Sequence, residues 1–241
     1  MPNFQTGAIN IHYEESGPAD GFPILLIAPG GMKSAIPFWA NAPWNPIEHL
    51  AGDFRVIAMD QRNAGQSSAP VTAEDSWASY AADQLGLMDH LGAERFLVAG
   101  MCIGGAYGMG LIEAAPERIA AAVLFQPIGL EGNRDAFYQM YDGWAAELAP
   151  QRPEVDEGAW AAFRENMYGG DFLFNVSREF TATVTTPLLV LKGNDIYHPE
   201  AISREVAALA VNATLIEDWK EGDAVASARQ QTIAFLKEHA N

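Results

Sequence analysis

The chain has 241 residues, enough for one large α/β domain with an insertion or at most two small ones. Apolar residues make up 49%, so a full core can be buried, and the net charge of −17 (14 Lys and Arg against 31 Asp and Glu) argues against nucleic acid or an anionic membrane as partner. The single cysteine excludes an internal disulfide, no apolar stretch approaches the roughly 20 residues of a membrane span, and no basic-then-apolar leader opens the chain, so the expected setting is cytoplasmic.

Taken in order, residues 4–6 and 10–16 read as a short hairpin turned at Gly7. Residues 23–28 and 54–59 are continuous apolar runs, as expected of strands buried on both faces. Residues 78–91 have helical spacing and stop at Gly92. A strand over 95–99 runs into Gly100-Met101-Cys102-Ile103-Gly104, and a small-residue helical pattern leads away to Ala115. Strands follow at 121–125, 187–191 and 214–216, with helices at 199–209 and 224–238. Strands alternating with helices predict an α/β fold, a mostly parallel central sheet with helices on both faces. The alternation breaks between Phe125 and Pro187, where no strand is predicted. The predicted organisation is therefore a core from residues 1–128 and 185–241 with an inserted helical cap or lid over 129–184.

The segment around Cys102 carries the most chemical information. A strand, a glycine-flanked tight turn and a helix start are what a nucleophile elbow requires. A thiol at a helix N-terminus meets free backbone N–H groups and the positive end of the helix dipole, both of which favour the thiolate. The alternative reading is a small buried hydrophobe. A dinucleotide loop does not fit, because Cys102 occupies the middle of the glycine run.

Four segments in order resemble the α/β-hydrolase fold family: Ala28-Pro29-Gly30-Gly31-Met32 after the first buried strand, Asp60-Gln61-Arg62-Asn63-Ala64-Gly65-Gln66-Ser67 after the next, the Cys102 elbow, and Leu191-Lys192-Gly193-Asn194-Asp195-Ile196-Tyr197-His198-Pro199. The resemblance covers nearly all of the chain. It implies a nucleophile at Cys102 where most members have serine, backbone N–H groups of Gly31 and Ile103 as an oxyanion hole, and Asp195 as the acidic member. The family's catalytic histidine sits in the loop after the last strand. Here that loop reads Glu217-Asp218-Trp219-Lys220-Glu221-Gly222-Asp223 and has none. His239 lies at the end of the last helix, and His12, His49 and His90 read as structural. His198, three residues after Asp195, is the best-placed substitute base, although a helix-start histidine packed on the surface has the same local sequence.

Met32, Tyr141, Trp144 and Trp160 are the expected substrate-binding side chains, drawn from an aromatic-rich stretch between 137 and 174 that also has its own packing to satisfy. Arg62 and Asn63 are expected to hold the loop beside the site. No metal-ligand spacing and no phosphate loop occur, so neither metal nor cofactor is expected. The resulting expectation is cofactor-free hydrolysis of an ester, thioester or lactone with a hydrophobic portion through an acyl-Cys102. The partner is a small-molecule substrate, and a homodimer is left open. Acyltransferase or lyase chemistry, or a non-catalytic ligand-binding role, are the alternatives that the absent loop histidine keeps open.

Overall fold

Short apolar strands bury both faces by sending alternate side chains to opposite sides. In the computed structural model, which describes residues 2–240, Ile24 and Leu26 of one strand belong to one hydrophobic cluster, and Leu25 and Ile27 to the other. Eight strands form a single sheet: β1 (Asn3–Thr6), β2 (Ile9–Ser16), β3 (Pro23–Ile27), β4 (Arg55–Met59), β5 (Phe96–Met101), β6 (Ile119–Phe125), β7 (Leu188–Leu191) and β8 (Ala213–Ile216). Their spatial order is β1-β2-β4-β3-β5-β6-β7-β8. The hairpin β1–β2 is antiparallel, as is β2 against β4, and every later pairing is parallel. The mostly parallel sheet expected from the alternation of elements is therefore present.

The helices are α1 (Pro46–Leu50), α2 (Trp77–His90), α3 (Ile103–Ala114), α4 (Arg134–Leu148), α5 (Glu157–Tyr168), α6 (Arg178–Thr181), α7 (Glu200–Leu209) and α8 (Gly222–His239). Leu50 of α1 with Ala228 and Leu236 of α8 cover one face, together with Trp39 and Trp44 from a stretch of single turns not foreseen from the sequence. Residues from α2, α3 and α7 cover the other. Between β6 and β7 the chain is helical, with no strand. The aromatic side chains of this segment (Phe137, Tyr141, Trp144, Phe163, Tyr168) are continuous with the core on the α2–α3 face of the sheet.

After β3 the chain crosses to β4 on one side, and the next crossover places β5 on the other side of β3. That reversal opens a crevice at the carboxyl ends of β3 and β5, where ligands bind in open α/β sheets. The loops after β3, β5 and β7 carry Gly30, Cys102, and Asp195 with His198 respectively.

Candidate active site

Cys102 stands between β5 and α3 with φ 62° and ψ −119°, a left-handed conformation that costs a non-glycine residue of order 1–3 kcal/mol. The surrounding backbone holds it there. Its N–H donates to the Phe125 carbonyl at 2.9 Å, and its carbonyl accepts from Gly105 at 3.0 Å. The flanking glycines explain how the turn closes. A Cβ on Gly100 would lie 2.0 Å from the Gly104 carbonyl oxygen, and one on Gly104 would lie 2.3 Å from the Ile27 carbonyl oxygen of β3. The helix and the neighbouring strand approach too closely for any side chain at either position.

Asp195 and His198 come from one turn after β7. The Asp195 carboxylate accepts the backbone N–H groups of Tyr197 at 3.0 Å and His198 at 3.1 Å. Nδ1 of His198 lies 2.8 Å from both carboxylate oxygens. A carboxylate only accepts, so Nδ1 carries the proton and donates. That leaves Nε2 as the free ring nitrogen. It is buried and has no hydrogen-bond partner, and Cys102 lies on the same cavity wall as the ring. Two further contacts fix the turn. Buried Asn133 donates from Nδ2 to the Ile196 carbonyl at 2.6 Å and to Gly129 at 3.1 Å, and the Gly193 N–H donates to Ser203 Oγ at 3.0 Å.

The three groups shift one another's titration. Burial pushes the Cys102 thiol up, but the His198 ring and the N–H groups of Gly30 and Ile103 more than offset this and hold it below its ordinary value. Burial pulls His198 down, while Cys102 and Asp195 together raise it above the usual imidazole value. Asp195 is held low, because its hydrogen bonds from His198 and the turn outweigh its partial burial. Both shifts favour the charged form of their group relative to its free state.

A cavity of about 240 Å³ opens over Cys102. One wall is the chemical one: Gly30, Gly31, Cys102, Ile103 and His198. The other is apolar: Ile128, Phe137, Met140, Tyr168 and Tyr197. A larger hollow of about 460 Å³ lies by the loop after β8, between Lys192, Glu217 and Lys220, but Cys102 is not on its wall.

The structure thus brings Cys102, Ile103, Asp195 and His198 together. Gly31 lies on the cavity wall beside Gly30 and Ile103, whose backbone N–H groups help to hold the Cys102 thiol low. The four side chains expected to bind substrate are elsewhere. Met32 is fully buried in the core. Tyr141 and Trp160 are tied to each other through a hydroxyl-to-carbonyl bond of 3.1 Å, and Trp144 packs edge-on to both. The physical reason is position along α4. Phe137 and Met140 reach the cavity, whereas Tyr141 and Trp144, four residues on, share their stripe of the helix but lie one turn further along its axis, where they meet Phe163 of α5 instead. Sequence reasoning missed Met140, Tyr197 and Asn133; the clue to Tyr197 was its place between Asp195 and His198.

Arg62 is buried and bonds Asp75 and Asp83, with Nε 2.7 Å from Asp83 Oδ2. Asn63 accepts the Ala69 N–H at 3.0 Å, which braces the loop that follows β4. Among the described residues no cluster of histidine, cysteine or carboxylate side chains could hold a metal ion, and no helix is long and apolar enough to cross a membrane.

A profile of the alpha/beta hydrolase fold matches residues 23–195. The chain belongs to the alpha/beta hydrolase fold family. It is 37% identical over 114 residues to a protein of Variovorax paradoxus (strain S110) provisionally named the carbamate hydrolase RutD, covering 47% of this chain and 41% of that protein. It is 32% identical over 145 residues to carboxylesterase YbfK of Bacillus subtilis (strain 168), covering 58% of this chain and 45% of that protein. The matches thus span less than half the length of these relatives. Among solved structures, the enol-lactonase from Burkholderia xenovorans LB400 superposes over 98% of this chain and 100% of its own with a TM-score of 0.71 at 21% identity, a likeness of fold.

Proposed function

We propose that the protein is a cofactor-free hydrolase of an ester, thioester or lactone that works through an acyl-Cys102 intermediate, with the helical segment 129–184 acting as the cap over the site. One observation carries this reading: Cys102 and His198 share the wall of a cavity, and the His198 ring is seated through Nδ1 on the Asp195 carboxylate behind it. The thiolate attacks the carbonyl carbon, and the developing oxyanion is held by backbone N–H groups at the elbow, Ile103 with Gly30 or its neighbour Gly31. Imidazolium at His198 gives its proton to the leaving oxygen or sulfur. His198 then takes a proton from water as that water attacks the acyl carbon, and the thiolate leaves. Asp195 keeps the ring in the tautomer that presents Nε2.

The relatives' names support the reaction class, since carbamates, carboxylic esters and enol-lactones share a polarised carbonyl. The readings as transferase, lyase or binding protein drew on the absence of a histidine from the loop after β8. His198, seated on Asp195, weakens that ground.

Pre-steady-state kinetics on His198→Ala test the assignment. Deacylation is expected to slow by roughly 10²-fold or more, so that acyl-Cys102 accumulates and is seen as a mass adduct on the peptide containing Cys102. A variant that turns over like the parent removes His198 from the mechanism.

A further inference from the structure

We infer that the acyl group accepted over Cys102 is uncharged, apolar and limited to about ten non-hydrogen atoms, so that carboxylate-bearing acyl groups are rejected by the site. This deepens the proposed hydrolase reading and rests on it.

Three observations carry the charge argument. First, no lysine or arginine lies on the cavity wall. Three cations on segments next to wall residues or the Asp195 turn have partners of their own: Lys33 Nζ is 2.7 Å from Glu147, Arg134 bonds the Tyr168 carbonyl and faces Asp171, and Lys220 donates to Asn194 at 2.6 Å. Second, the catalytic groups already sum to one negative charge. Thiolate, imidazolium and carboxylate give −1, and thiol, neutral imidazole and carboxylate give −1 as well. Third, the whole molecule carries −17, a field that lowers the local concentration of anions. A carboxylate brought into this cavity leaves water and meets no cation, an expensive exchange. The Tyr168 hydroxyl on the wall has no partner of its own and can donate one hydrogen bond, but it carries no positive charge to offset an anion.

The size argument comes from volume. A cavity of roughly 150 Å³ holds benzene, with six heavy atoms. Scaled in proportion, the 240 Å³ over Cys102 holds about ten. That seats a hexanoyl, octanoyl or benzoyl group, whereas a long fatty acyl chain must leave most of its methylenes outside the cavity.

The experiment compares p-nitrophenyl hexanoate, the half-ester p-nitrophenyl glutarate, and p-nitrophenyl hexadecanoate presented below its aggregation threshold, with the unmodified protein. The expected result is a kcat/KM at least about 10²-fold higher for hexanoate than for either of the others. Values for glutarate within tenfold of hexanoate overturn the charge selection, and equal values for hexadecanoate overturn the size limit. Mass spectrometry of Cys102 during hexanoate turnover separates the two levels of the argument. Turnover with no adduct, even on His198→Ala, overturns the acyl-Cys102 reading and this inference with it, whereas an adduct with no discrimination overturns this inference alone. A second arm adds a cation to the wall. Met140→Lys is expected to raise the glutarate-to-hexanoate ratio at least tenfold, and an unchanged ratio in a folded variant means that the wall is not what excludes the anion. If that variant does not fold, the ratio in the unmodified protein still decides.

Discussion

Two ionic clusters in this protein invite comparison, one buried throughout and one that runs from a half-exposed carboxylate, Asp195, to the buried ring of His198. Around Arg62, the guanidinium donates to Asp75, to both oxygens of Asp83 (2.7 and 2.9 Å) and to the Ser79 carbonyl (3.2 Å), and the free oxygen of Asp75 accepts the Thr72 N–H. Around Cys102, Asp195 and its turn are equally well bonded, but the series ends in a ring nitrogen and a sulfur that face a cavity. The first cluster is saturated and closed to ligands; the second is saturated at one end only. A buried charge with all its partners supplies architecture, and one with a partner missing on the cavity side is equipped to act on whatever arrives.

The comparison can be broken at either cluster. The largest effect is expected from Cys102→Ala, which removes turnover by at least about 10⁴-fold while changing stability by under about 1 kcal/mol; kinetics and denaturant unfolding on one preparation check both. A large loss of stability would place Cys102 with the architecture. Arg62→Ala is its mirror image. It strands two buried carboxylates and is expected to lower stability by about 3–5 kcal/mol, with the activity of the molecules that remain folded close to the parent's. Urea midpoints and activity normalised to the folded fraction decide whether the two clusters are as separate as they look.

Asn133→Ala sits between these cases. It frees the Ile196 carbonyl and is expected to lower kcat about tenfold, with KM little changed. A merely structural role for Asn133 would lower stability and leave the rate per folded molecule alone. Alkylation of Cys102 by iodoacetamide is a finer measure. The thiol is held below its ordinary value, so its thiolate is lost only as pH falls through that lower value. The rate midpoint should therefore lie below the free-cysteine value of about 8.5 and move up in His198→Ala. The smallest effect is expected from Trp160→Ala, whose ring packs on Trp144 away from the cavity. It should leave the ratio of kcat/KM for hexanoate over acetate unchanged within about twofold.

The elbow was legible in the sequence because its geometry depends on small residues at fixed offsets, and Gly100 and Gly104 are visible as letters. The parallel sheet was legible for a similar reason, since strands buried on both faces cannot hide their apolar runs. Asp195 and His198 could be nominated from their spacing and their position after a buried strand. Whether the ring turned inward depended on the Asp195-capped turn and on Asn133, a residue more than 60 positions away in the chain. The cavity wall was the least legible part. Met140 and Tyr141 are neighbours in sequence, yet one faces the site and the other the interior of the helical segment. That distinction follows from how α4 is rotated against the sheet, a tertiary outcome that composition does not encode.

Asp195 and His198 share one four-residue turn, while the loop after β8 holds Trp219 packed against Phe125 with its Nε1 donating to the Lys192 carbonyl at 2.8 Å. On the proposed mechanism, base and orienting carboxylate thus travel as a single cassette, whose internal alignment survives any drift of β8 relative to β7. The last loop is thereby released to change in length and sequence at little catalytic risk. The same arrangement concentrates vulnerability: one deletion between positions 195 and 198 disables both partners at once, so two failures that separate loops would keep independent become one.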